Sequence, residues 1–132
     1  ASMTEAQRKG YIVASVGEAA GEIPYTAYFA KKSYIEKNPD LIKRFTSSIK
    51  KGLEFVQNNN ADVIANTIIN QFPDTSLKDT ISIVKRYREA DTWLETTSIS
   101  EDSYKNLENI MIDNKLLDDY VPFDKLVIDL ND

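Results

Sequence analysis

Two stretches near the start of this 132-residue chain have the make-up of a β-strand, and nearly everything after residue 38 repeats at the period of a helix. Residues 10–16 form a short apolar run with Ile12, Val13 and Val16, bounded by Gly10 and Gly17, which reads as a largely buried strand. Residues 24–30 open on Pro24 and continue with Tyr25, Thr26, Tyr28 and Phe29. Proline is tolerated at a strand's first position, where no ladder donor is needed. Two strands alone make a marginal ribbon, and parallel strands joined through helices need a sheet of several members. The strands must therefore be buried by the helices, be completed by further chain, or pair with a second copy. An exposed edge at residues 25–30, with Tyr, Phe and Ala on both faces, would be costly.

The helical part is clearly punctuated. Asn38, Pro39 and Asp40 suit an N-cap, a first helical position and the positive end of a helix dipole. Leu41, Ile42, Phe45, Ile49, Leu53 and Val56 then mark one face as far as Gln57. A second helix is expected over residues 61–71 with Val63, Ile64, Ile68 and Phe72 inward, ended by Pro73 and Asp74. A third follows a Thr75 or Ser76 cap and carries Leu77, Ile81, Val84 and Tyr87. Residues 91–97 have no period and hold the single tryptophan, Trp93. A fourth helix, capped by Ser98 or Ser100, places Tyr104, Leu107, Ile110 and Met111 inward and ends near Asn114. Residues 17–22 read as a small, flexible connection, and residues 123–130 as one more helical turn or a short strand.

Composition removes several chemistries. The chain has no Cys and no His, which excludes disulfides, thiolate metal sites and Ser-His or Cys-His triads. Carboxylates, Lys, Tyr, Ser and Thr remain, so Ser-Lys and paired-acid mechanisms stay formally open, but no enzyme is expected. No cofactor or metal is called for. The length fits one small domain, and no run reaches the roughly 20 apolar residues of a membrane helix. A soluble chain is expected.

Charge is unevenly spread. Residues 1–88 hold 13 basic and 9 acidic side chains, and residues 89–132 hold 3 basic and 12 acidic, so +4 is followed by −9. The basic run over residues 31–51 has the spacing of a helix's wet face, with Lys stems covering its flanks, and no nucleic-acid partner is expected. The acidic end is either a solubilising surface or the docking face of a stand-alone helical interaction module.

Over nearly the whole chain from Gly10 the order of residues resembles a known family. Gly17-Glu18-Ala19-Ala20-Gly21-Glu22-Ile23-Pro24-Tyr25-Thr26-Ala27-Tyr28-Phe29-Ala30-Lys31-Lys32-Ser33-Tyr34, then Asn38-Pro39-Asp40-Leu41-Ile42-Lys43-Arg44-Phe45, is similar to the C-terminal half of the solute-binding proteins of ABC importers for nitrate, sulfonate, taurine and thiamine-pyrimidine precursors. Ala90-Asp91-Thr92-Trp93, Ser103-Tyr104-Lys105-Asn106-Leu107 and Val121-Pro122-Phe123-Asp124-Lys125-Leu126-Val127 fit the same pattern. The resemblance implies a helix-dominated α/β chain with about four main helices and two short strands, a C-terminal fragment of a type II periplasmic-binding-protein fold. Residues 1–23 would be a crossing strand and hinge-like segment, and residues 24–132 the helical part of one lobe. It further implies an extracytoplasmic protein, periplasmic or lipid-anchored, that takes a small anion or pyrimidine-like ligand and delivers it to an ABC permease.

Within that frame the candidate ligand contacts are Ser15, Tyr25, Thr26 and Trp93, since backbone amides, hydroxyls and stacked rings hold such solutes. Each has a plainer reading. Tyr25 and Thr26 suit a sheet or core, and Trp93 suits a packing anchor between helices. Glu18 and Glu22 could accept from a ligand amine but read first as solvated carboxylates. Thiamine-pyrimidine synthases resemble these binding proteins and consume a histidine, which this chain lacks, so binding is expected rather than synthesis. The fragment alone is expected to bind no solute, and to form a homodimer if its strands need outside partners.

Overall fold

The computed structural model describes residues 9–11, 13–14, 16–90 and 92–128. Its elements are α1 (Val16–Ala20), α2 (Lys32–Lys37), α3 (Pro39–Asn58), α4 (Ala61–Ile68) with a 3-10 turn at Ile69–Gln71, α5 (Leu77–Glu89), α6 (Glu101–Asp113) and α7 (Phe123–Leu126). The chain is helix-dominated, and no strand occurs among the described residues.

The two expected strands are thus corrected. Residues 24–30 are irregular and exposed apart from the half-buried Pro24, with Tyr25 85% and Phe29 97% accessible. In residues 10–16 the described positions before Val16 have no regular structure, and Val16 begins α1. The reason is pairing. Strand propensity measures how a side chain fits its cross-strand neighbours, and no second strand is present among the described residues to take up the backbone N–H and C=O groups. The connection at residues 17–22 is instead mostly α1, where Glu18, Ala19 and Ala20 are helix formers.

The chain divides into two compact units. The first takes in Ser48–Thr96 and the described residues ahead of Ser15. Its core is Ala61, Ile64, Ala65 and Val84, against which Phe55, Val56, Ile68, Ile81 and Trp93 pack. Asn60 caps α4, its side-chain oxygen accepting from the Val63 N–H at 3.0 Å. Ser76 caps α5 by accepting from the Asp79 N–H at 3.1 Å, and its hydroxyl donates to the Asp79 carboxylate. These caps set the starts of the helices and so place Ile64 of α4 and Val84 of α5 in one core. Val63 and Phe72, expected inward, are 43% and 49% exposed. The core stripe of α4 runs through Ala61, Ile64, Ala65 and Ile68 and leaves Val63 off it, and Phe72 lies beyond the 3-10 turn that follows the helix.

The second unit takes in Val16–Ser47 and Thr97 to the end of the described chain. Asn38 joins two of its helices: its side-chain amide donates to the Tyr34 carbonyl at 2.9 Å and closes α2. Its own carbonyl accepts from Leu41 and Ile42, both at 3.1 Å, and starts α3. Ser100 caps α6 by accepting from the Ser103 N–H at 3.1 Å. Beyond the Asn114 C-cap, Lys115 stands at φ 57. The Lys115 N–H bonds to the Ile112 carbonyl and the Leu116 N–H to that of Met111, the two bonds of a Schellman ending.

Two glycine swaps follow from this backbone. Lys115 occupies the left-handed region where glycine carries no steric penalty, so Lys115→Gly should stabilise the chain by about 0.5–1 kcal/mol. Gly21, at φ 70, is the reverse case. Among the described residues an added Cβ would meet the Asn106 side chain at 3.6 Å, an ordinary contact, so the cost of Gly21→Ala is conformational, about 1 kcal/mol. Urea midpoints of opposite sign for the two variants are expected.

Candidate functional site

Of the four residues singled out from sequence, Ser15 lies outside the described residues, as do Ile12 and Asp91. Tyr25 and Thr26 belong to the second unit and are exposed. The Tyr25 N–H turns back to the Ile23 carbonyl at 2.9 Å, so the chain bends tightly there instead of running straight. Tyr28, three residues on, meets Phe45 of α3 edge to face, with ring centroids 4.8 Å apart. That contact ties this loop to its unit through one aromatic pair.

Trp93 belongs to the first unit and is half-buried. Its ring stands edge-on to Tyr87 of α5, with centroids 5.6 Å apart, and rests on the apolar core. Gln57 of α3 donates to its carbonyl at 2.7 Å, and the Thr92 N–H donates to the Tyr87 carbonyl at 3.0 Å. Next to Tyr87 in α5, Arg88 donates to the Asn59 carbonyl. Tryptophan and its loop are therefore fixed by side chain and backbone together. An indole held this way is preorganised, and any ring it stacks on would meet a surface that loses little freedom on binding.

Glu18 and Glu22 flank Gly21. Asn106 of α6 donates through Nδ2 to the carbonyls of Ala20 at 3.0 Å and Glu22 at 3.1 Å. One amide thus holds both sides of the left-handed turn that ends α1.

A more elaborate polar cluster lies on α6, and it was not anticipated from sequence. Glu108 is only 6% exposed, and its carboxylate accepts from the Val121 N–H at 2.8 Å. The Tyr104 hydroxyl donates to the Val121 carbonyl at 3.1 Å, so both backbone groups of one residue are bound by side chains one helical turn apart. Tyr120 donates to the Asn109 side-chain oxygen at 2.7 Å, and Phe123 of α7 lies edge-on to Tyr104 with centroids 5.4 Å apart. Burial, and then the neighbouring Glu108 carboxylate, push the Tyr104 phenol above its ordinary pKa of 10.0. Residues 120–123 are thereby strapped to α6. A sequence signal existed: Tyr104, Leu107, Glu108 and Met111 follow the i, i+3, i+4, i+7 stripe, which puts a carboxylate on the apolar face. Asn106 had no such signal, because its partners lie 84 and 86 residues away.

Among the described residues, no helix is long and apolar enough to cross a membrane, and no group of three or more acidic side chains is placed to hold a metal ion.

The chain is 35% identical to a protein of Bacillus subtilis (strain 168) named "Putative binding protein YtlA", over 127 residues. The match takes in 96% of this chain and 38% of that protein. The chain thus spans well under half the length of this relative. No family model matches the chain, and no solved structure matches it.

Proposed function

We propose that the chain is the C-terminal part of the substrate-binding component of an ABC importer, an extracytoplasmic protein that holds a small solute between two lobes and passes it to a membrane permease. The observation that carries this reading is the similarity to YtlA along 96% of the chain, since that relative is named as a binding protein. The family resemblance of residues 17–45, 90–93 and 103–127 supplies the finer statement of an importer component. The reading is non-catalytic, in keeping with a sequence that offers no histidine for the related pyrimidine synthesis.

The exposed aromatics support it further. Tyr25, Tyr28 and Phe29 leave much apolar surface in water, in a stretch whose residue types suit a sheet. In the proposed parent this stretch is covered by the part of the relative's length that has no counterpart in the chain. Tyr25 and Thr26 in the second unit, and the fixed ring of Trp93 in the first, are each candidate ligand contacts in that reading. The ligand is a small anion or a pyrimidine-like heterocycle, matched by hydroxyls, backbone amides and aromatic faces.

The test uses the product of the whole reading frame that encodes this sequence. Calorimetric titration with nitrate, taurine, an aliphatic sulfonate and an aminopyrimidine should give saturable 1:1 binding of one of them. Absence of binding by all four would count against the importer reading. For the isolated 132-residue chain, association through the uncovered residues 24–30 is expected, giving a homodimer in sedimentation equilibrium that Phe29→Asp dissociates. A monomer at the highest soluble concentration would remove the need for an outside partner.

A further inference from the structure

We draw no further inference here: the strongest candidate, the exposed aromatic patch of Tyr25, Tyr28 and Phe29 in the loop between α1 and α2 of the second unit, carries nothing beyond the proposal above, because nothing among the described residues shows what covers it.

Discussion

Ile64→Ala should destabilise the first unit by roughly 2–5 kcal/mol, the range for truncating a fully buried aliphatic side chain. Ile64 is 1% exposed, and the other fully buried core members are Ala61, Ala65 and Val84. Phe55, Val56, Ile68, Ile81 and Trp93 pack around these residues, and where the loss falls within that range depends on how far such neighbours relax into the space. Burying Ile64 and Val84 contributes roughly 1.5–3 kcal/mol each, and a domain's whole stability is only about 5–15 kcal/mol. One truncation therefore removes much of what holds α4 to α5. Val63→Ala, next to it but 43% exposed, is the matched control and should cost about 1 kcal/mol or less. Urea unfolding followed by Trp93 fluorescence reads this unit directly, because Trp93 packs on its core. Equal losses for the two variants would mean that Ile64 is not the centre of the core.

The second large effect is at Glu108. Glu108→Ala leaves the Val121 N–H without its acceptor and opens a gap beside Tyr104, for a cost of about 2–3 kcal/mol. Glu108→Gln keeps a carbonyl oxygen that can accept the same bond and should cost much less. The two variants separate hydrogen bonding from charge. Glutamine also removes the negative neighbour of Tyr104, so the raised phenol pKa should fall part of the way toward 10.0, with the share due to burial remaining. Spectrophotometric titration of tyrosinate, with Tyr104→Phe to identify the Tyr104 component, should show this as a shift of that component toward lower pH. The linked stability has a definite sign. A phenol whose pKa is higher in the folded state contributes stability that is fully present below pH ~10 and is lost as pH rises through the folded value. If Glu108→Gln left the Tyr104 component where it was, the carboxylate would have no part in its shift.

How far the sequence foretold this fold depends on the range of the forces involved. Helix starts are local, and they were legible: Ser76 and Ser100 cap α5 and α6, one of two candidates in each case, and α3 begins at Pro39. The caps at these sites involve groups three or four residues apart, which a sequence window contains. Residues 24–30 were misread for the opposite reason. Tyr, Thr and Phe favour a strand only when another strand lies beside them, and no sequence window reveals whether one is there. Asn38 shows an intermediate case, since its position at a helix boundary was legible while its side chain serves the end of α2 rather than the start of α3.

For the candidate site, Trp93 was recognised as special but its double hold by Tyr87 and Gln57 was not, since the latter spans 36 residues. Glu108 was legible in principle as a carboxylate on the apolar stripe of α6. Its partner Val121 lies 13 residues on, past a turn whose direction is set by Lys115 in the left-handed region. Backbone geometry of that kind is invisible in a residue that is not glycine.

The central claim, that these residues belong to a binding protein and supply only part of its solute site, is tested most directly by ligand-dependent melting. The whole reading-frame product and the isolated 132-residue chain would be melted with and without the solute identified by titration, at about 100 times its dissociation constant. Linkage then predicts about 2.7 kcal/mol of stabilisation and a rise in Tm of several degrees for the whole product, with no shift for the isolated chain. A comparable shift in the isolated chain, or an unchanged Tm in the whole product, would contradict the account.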